Sequence, residues 1–387
     1  MEIIISAKHA DIMMTKYIHQ RNDWPGFRWS DARLVHPLAA LRLRQGRFVG
    51  RMEALGFAVR AEAALRSLTE EVLKSSEIEG EILDQAQVRS SIARRLGMDI
   101  GATARADRHV EGVVEMMLDA TQKYAAPLTV KRLHAWHAAL FPTGRSGMRH
   151  ITVGAWRKPA SDPMRVVSGP MGRERVHYEV PPAMELKQEM TEFLAWFNGR
   201  QPIDPVLKAA VAHLWFVTIH PFEDGNGRIA RAVADMALAR SEDSPQRFYS
   251  MSAQIQAERK TYYDMLESTQ KGNMDITAWL EWFLACLGRA FDGAETILGT
   301  VLDKARFWQQ HGGAEFNQRQ RKILNRLFDG FEGKLTSSKW AAMGKCSQDT
   351  AARDIDDLVK RGILTKDAAG GRSTSYSLKP TLPAVAR

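Results

Sequence analysis

Between Pro205 and Thr218 the chain is almost continuously apolar, through Val206, Leu207, Ala209, Ala210, Val211, Leu214, Trp215, Phe216 and Val217. A run of that length predicts a buried helix. Ile229, Val233, Met236 and Ala237 recur at helical spacing and predict a second helix starting near Gly227, which leaves a loop between the two. A stripe of Leu65, Leu68, Val72, Ile82 and Leu83 predicts a helix over Thr69–Leu83, with Thr69 as its cap and Glu70 and Glu71 in its first turn. Met164–Val167 and Arg175–Val180 flank a Ser168-Gly169-Pro170-Met171-Gly172 turn and are closed by Pro181-Pro182, which predicts a β-hairpin. A lone hairpin is marginal, so this one should dock on a core. Toward the C-terminus, Ile323, Leu324, Leu327 and Phe328 make Arg319–Phe328 amphipathic. Thr336 should cap a short helix through Trp340 to Met343. Ser347 should cap the next, with Thr350, Ala351, Ile355, Leu358 and Val359 inward and Gly362 at its end. Ile363-Leu364 and Ser375–Leu378 then read as strands around Gly370-Gly371-Arg372. The predicted fold class is mainly α.

These elements divide the chain into residues 1–100, an N-terminal helical module opened by Trp24, Phe27 and Trp29; residues 101–310, a core; and residues 317–387, a C-terminal domain after a break at His311-Gly312-Gly313. With 387 residues, 44% hydrophobic and 26% charged, the chain can bury substantial cores. Its two cysteines, Cys286 and Cys346, leave neither a disulfide framework nor a metal cluster. No apolar run reaches membrane-spanning length, and the N-terminus is too short and wrongly flanked for a signal peptide. The expectation is a cytoplasmic protein with no membrane partner.

The loop between the two apolar helices carries the chemistry. His220 to Arg231 reads His-Pro-Phe-Glu-Asp-Gly-Asn-Gly-Arg-Ile-Ala-Arg. His220 precedes Pro221, so its backbone is biased out of the helical region and its imidazole, with an ordinary pKa of about 6.5, can act as a base. Phe222 is an apolar anchor for the loop. Asp224 suits Mg2+, which takes one or two carboxylates and completes its shell with phosphate oxygens and water. Gly225, Asn226 and Gly227 open the second helix, whose free N–H groups and dipole attract an anion. Arg228 and Arg231 lie one turn apart, placed to grip one phosphate tail.

The whole stretch matches the signature His-x-Phe-x-Asp/Glu-Gly-Asn-Gly-Arg-x-x-Arg, and the chain resembles the Fic family. The resemblance implies adenylyl transfer from ATP, with Mg2+, to a Ser, Thr or Tyr hydroxyl of a target protein, the chain itself included. By position, His220 would be the catalytic base and Asp224 the metal ligand, with Glu223, Asp224, Gly225, Asn226, Gly227, Arg228 and Arg231 as the nucleotide-binding loop. Asn226 and the loop amides would hold the α-phosphate and Arg231 the γ-phosphate. The related Doc branch, which transfers a terminal phosphate, has lysine where this chain has Gly227. The hairpin resembles the family's flap over the nucleotide, which makes Val176, His177 and Tyr178 lining residues. Tyr262, Tyr263 and Leu266 resemble its adenine pocket.

Glu79 falls on the Leu65–Leu83 stripe, where a carboxylate must either find a cation or merely flank the apolar face. Ser75-Ser76-Glu77-Ile78-Glu79-Gly80 also resembles the family's inhibitory motif Ser/Thr-x-x-x-Glu-Gly/Asn. That resemblance implies that Ser75, Glu79 and Gly80 form an inhibitory segment, with Glu79 paired to Arg231. The module ahead of the core also resembles one found ahead of bacterial Fic cores, beginning near Tyr17-Ile18-His19-Gln20. Residues 1–13 would then be an extension, with Met13 and Met14 as alternative starts. The fold implied is a Fic-type helical core with a β-hairpin flap, the N-terminal helical module and a C-terminal winged helix.

Residues 317–387 hold 14 Lys and Arg against 7 Asp and Glu, within a formal net charge of +9 for the chain. Such a bias suits a nucleic-acid surface. The presumed recognition helix, however, carries Asp349, Asp354, Asp356 and Asp357 against Arg353, Lys360 and Arg361, which opposes phosphate binding. Protein contacts or a homo-oligomer are favoured over DNA. Two other readings stay open beside the self-inhibited adenylyltransferase: a nucleotide-sensing DNA-binding regulator, and an enzyme that both adds and removes AMP.

Overall fold

The fold is seen in a computed structural model that describes residues 17–100, 104–160, 163–169, 173, 175–329, 331, 333–368 and 374–379. It is mainly helical, as the patterning predicts. Residues 1–13, the expected hairpin turn at Pro170–Gly172 and the stretch Gly370–Arg372 expected between the last two strands lie outside the described residues. The chain forms two compact units. One comprises the described residues to Gly56 with Ala64–Ala294; the other comprises Phe57–Ala63 with the described residues from Glu295 onward.

In the first unit a short 3-10 turn, Ile18–Gln20, precedes α1 (Asp31–Glu53), α2 (Phe57–Ile78, which starts in the other unit), α3 (Gln85–Arg95), α4 (Arg108–Gln122) and α5 (Val130–Leu140). Two-residue strands β1 (Arg145–Ser146) and β2 (Arg149–His150) pair, and the hairpin is β3 (Arg165–Ser168) with β4 (Arg175–Glu179). Helices α6 (Leu186–Asn198), α7 (Pro205–Ile219), α8 (Asn226–Glu242), α9 (Met251–Ala257), α10 (Arg259–Gln270) and α11 (Thr277–Gln310, which ends in the other unit) follow. The centre is α7 packed on α8, where every residue of Ala209–Ile219 and of Arg228–Ala239 is buried. Pro205 at the first turn and the Asp204 side chain, which accepts from the Val206 N–H at 2.7 Å, start α7. Trp24 and Phe27 dock on α7 through Trp215, with ring centroids 6.3 and 5.7 Å from it.

The helix expected over Thr69–Leu83 is displaced. Residues 57–78 contain neither glycine nor proline and are rich in Ala, Leu, Glu and Arg, so helix propensity extends α2 back to Phe57. Thr69 is therefore an interior residue, its hydroxyl donating to the Leu65 carbonyl at 2.6 Å, one turn back. Gly80 adopts φ +85, a left-handed conformation that ends the helix. Ile82 consequently leaves the stripe and is 91% exposed.

The hairpin forms with β3 and β4 antiparallel, Arg165 opposite Glu179 and Val166 opposite Tyr178, and a register irregularity between Val166 and Val167. In the second unit, α12 (Gln318–Phe328), α13 (Ser337–Gly344) and α14 (Gln348–Lys360) precede an antiparallel pair, β5 (Leu364–Lys366) with β6 (Tyr376–Leu378). Thr336 and Ser347 cap α13 and α14, accepting from Lys339 N and Thr350 N. Trp340, Ile323, Leu324, Ile355 and Leu358 form the core.

Candidate active site

His220 ends α7 in a left-handed conformation, φ 52, and the loop it opens returns to α8 at Gly225, φ 79. Arg157 fixes this corner: its Nε donates to the His220 carbonyl at 2.9 Å, and its backbone N–H donates to Pro221 O at the same distance. The His220 Nδ1 lies 3.2 Å from Val217 O. A carbonyl can only accept, so Nδ1 carries the hydrogen and Nε2 keeps the lone pair. Burial lowers the imidazole pKa to about 4, so the ring is neutral at neutral pH.

Phe222 is buried and stacks on His137, ring centroids 4.2 Å apart at 8°. Asn226 closes the loop: its side-chain oxygen accepts from the Phe222 N–H at 2.9 Å and its amide donates to Phe222 O at 2.8 Å. Both polar ends of that side chain thus hold backbone. Gly225 has no room for a side chain, because a Cβ would sit 2.9 Å from the Phe141 ring in a backbone conformation that favours glycine. The Asp224 carboxylate accepts from the Gly225 N–H at 2.6 Å and from the Ser146 hydroxyl. The neighbouring Glu223 lies 4.0 Å from Arg149.

The two loop arginines diverge. Arg231 is buried; its Nε donates to Ser75 Oγ at 3.0 Å, and its Nη2 donates to Ser75 O at 2.7 Å and to Glu79 Oε1 at 2.9 Å. Its Nη1 is buried without a hydrogen bond. Glu79 caps the C-terminal end of α2, and its Oε1 stands where a Cβ on Gly227 would be, 2.1 Å away. A carboxylate thus sits at the N-terminus of α8, where the helix dipole and free N–H groups attract anions. Arg228 turns instead to Glu81, 2.5 Å away, and lies 5.1 Å over the Phe141 ring. Glu81 also meets His109 at 3.0 Å.

The flap residues fall into two sets. Tyr178 is buried, its hydroxyl donating to Thr218 O at 3.0 Å and lying 2.8 Å from His19 Nδ1, so it anchors the flap. Val176 and His177 stay partly exposed. His177 Nδ1 lies 2.6 Å from Glu267 on α10, and Arg175 donates to the same carboxylate at 3.0 Å. Burial pushes the Glu267 pKa up, but hydrogen bonds from Lys271, His177 and Arg175 outweigh it and hold it at about 2. Of the expected adenine-pocket residues, Tyr262 and Leu266 are buried, Tyr262 reaching His213 at 2.9 Å; Tyr263 is 38% exposed and lies near Ile78 O. Glu81, His109, Ser146, Arg157 and Glu267 escaped the sequence reading, since each acts on the site from a distant stretch of chain with no periodic signature.

Parts of this chain are similar to known proteins. Residues 127–238 match a family model described as the Fic/DOC family, and residues 17–98 match one described as a domain of unknown function (DUF4172). The protein adenylyltransferase Fic of Aedes aegypti is 31% identical over 221 residues, which cover 56% of this chain and 39% of that protein. Its counterpart in Drosophila grimshawi is 28% identical over 250 residues, 62% of this chain and 46% of that protein. The chain therefore spans less than half the length of these curated relatives. A crystal structure of a Fic family protein from Desulfovibrio desulfuricans G20 shares the fold, at a TM-score of 0.50 and 19% identity, covering 89% of this chain and 96% of that one.

Proposed function

We propose, from the premise that this chain is a Fic domain protein, that it moves AMP from ATP to a hydroxyl of a target protein and is held in check by Glu79. The observation that carries this reading is an anion in an anion site: the Glu79 carboxylate lies on Gly227 at the start of α8 and bonds Arg231. Gly227 offers a cradle that a side chain would fill, and Arg231 keeps one buried Nη1 for a phosphate oxygen. With Glu79 withdrawn, a nucleotide's terminal phosphates fit the same contacts.

In the reaction, the target oxygen gives its proton to His220 Nε2 as it attacks the α-phosphorus. The new O–P bond forms, the bond between the α-phosphorus and the bridging oxygen breaks, and pyrophosphate leaves. The N–H groups at the start of α8 oppose the charge that builds on the phosphate oxygens. Asp224 would hold Mg2+, and its single carboxylate, steadied by Ser146, suits an ion completed by phosphate oxygens and water. Such an ion, when bound, would supply charge neutralisation for the phosphates. Tyr263, exposed, and Val176 and His177, partly exposed, are the candidates for contact with the nucleoside, and Tyr178, Tyr262 and Leu266 are buried behind them.

The order α12, α13, α14, β5, β6 supports reading residues 317–387 as a winged helix beyond a core at 101–310 and a helical module at 1–100. Cytoplasmic residence belongs to the same reading. Among the described residues no helix is long and apolar enough to cross a membrane.

The test is isotopic. Purified Glu79→Gly protein is given a lysate and ATP labelled on either the α- or the γ-phosphate. Label reaching protein only from the α-position supports the reading. Label from the γ-position would mean phosphate transfer and would overturn it.

A further inference from the structure

We propose that the outward face of α14 in the C-terminal unit binds duplex DNA. This inference stands apart from the adenylyl-transfer reading and rests on where the acidic side chains go. Counting along the sequence, α14 holds four aspartates, enough to repel a phosphate backbone. Asp354, however, is buried against α12 and α13: it accepts from Arg319 Nε at 2.9 Å, Asn317 at 2.8 Å and Trp340 at 3.3 Å. Asp357 is tied back by Gln320 at 2.8 Å and by Arg361 at 3.3 Å. Just after α12, Asp329 is neutralised by Lys304 at 2.8 Å. Three of the seven acidic residues between 317 and 387 are thus engaged inside the unit.

Those contacts take up Lys304, Arg319 and Arg361, and other cations of the unit point outward. Ala351, Ile355 and Leu358 face the core, so the opposite stripe of α14 carries Asp349, Arg353, Asp356 and Lys360, all exposed. Exposed Lys345 lies in the turn before α14, and exposed Lys366 ends β5. With Lys345 and Lys366 beside it, the stripe presents four cations against Asp349 and Asp356, while Asp357, half-exposed on the flank, is bonded to Gln320 and Arg361; Asp349 belongs to the first turn of α14, where negative charge is stabilising.

The architecture fits the ligand. Helices α13 and α14, joined by Lys345, Cys346 and Ser347, form a helix-turn-helix, and the second helix of such a pair enters the major groove N-terminal end first. The exposed polar residues in that leading part are Gln348, Asp349 and Arg353, which match the base-edge pairings of Gln with adenine, Asp with cytosine and Arg with guanine. Lys345, Lys360 and Lys366 are left for phosphates. The deep, narrow major groove of an RNA duplex excludes a helix, so DNA is the partner selected.

The experiment uses the full chain and a fluorescently labelled random-sequence DNA duplex, with anisotropy read against salt concentration. Affinity should fall as a power of salt. A double Arg353→Ala, Lys360→Ala variant should weaken binding by about tenfold or more and flatten the log–log slope by about 0.9 for each phosphate it no longer neutralises. Asp356→Asn should tighten binding, a gain that a misfolded protein cannot imitate, and Lys187→Ala on α6 should change nothing. No binding at low salt, binding indifferent to Arg353, Lys360 and Asp356, equal affinity for duplex RNA, or self-association through this face without DNA binding would each overturn the proposal.

Discussion

Glu79 Oε1 accepts a hydrogen bond from Arg231 Nη2 at 2.9 Å, and the same oxygen occupies the space a Cβ on Gly227 would need. One carboxylate thereby engages both the cation and the helix N-terminus that a triphosphate requires. Arg231 is buried, so its charge needs an anionic partner. On the proposed reading, Glu79 is the resident anion and ATP its competitor.

ATP affinity should therefore rise in Glu79→Gly, by about fivefold to a hundredfold, the usual scale of a coupling of about 1–3 kcal/mol between ligand and switch. Arg231→Ala in the same background should cancel most of the gain. Calorimetric titration with ATP and Mg2+ reads both, and equal affinities in parent and Glu79→Gly would refute the competition.

His220 should govern chemistry and not binding. With the inhibitory carboxylate removed, His220→Ala should cost about 10²–10⁴ in turnover while ATP affinity stays level. Because burial holds its pKa at about 4, the base form persists well below the ordinary histidine range. The acidic limb of kcat/KM should fall near pH 4, and a limb near 6.5 would show that His220 is solvated in the active form.

Glu71 anchors α2, the helix that carries Glu79 at its end. Its carboxylate accepts from Ser250 Oγ at 2.7 Å and the Ser252 N–H at 2.9 Å, joining α2 to the start of α9. Glu71→Ala leaves those buried donors unmet and should cost about 1–3 kcal/mol of stability, measured by urea unfolding. It should also raise basal transfer by loosening α2. A destabilised protein with unchanged transfer would confine Glu71 to a structural role.

Acid should destabilise the first unit. Burial lowers His220, His137 and His19 to about 4 and His213 to about 3, against an ordinary 6.5. Between those values the unfolded chain binds protons that the folded chain does not. Stability is therefore full above about pH 6.5 and is lost as pH falls toward 4, at up to about 1.4 kcal/mol per pH unit for each histidine. Urea midpoints measured from pH 7.5 to 5 should fall, and His137→Gln should show a shallower dependence than the parent.

The sequence exposes the α7–loop–α8 centre because burial imposes an apolar run on α7 and helical spacing on α8. The loop is legible for a related reason: its side chains act within one turn of one another. Glu79 is found by its spacing and motif, yet its true setting is a helix end, since Gly80 stops α2 before the stripe reaches Ile82. The opposed fates of Arg228 and Arg231 could not be read, because Glu81 and Glu79 lie about 150 positions earlier in the chain. Tyr178 and Tyr262 read as site residues, and the structure buries both, through packing partners such as Thr218 and His213 that no local pattern contains. Likewise the inward turn of Asp354 depends on Arg319 and Trp340, which no count along α14 contains.

Intact-mass spectrometry tests the central claim most directly. Glu79→Gly protein, and the same protein with His220→Ala, are each incubated with ATP and Mg2+ alongside the parent. Competition by Glu79 predicts protein carrying the mass of AMP with Glu79→Gly, little with the parent, and none once His220 is also replaced. AMP adducts at equal levels in all three, or adducts with the mass of phosphate, would contradict it.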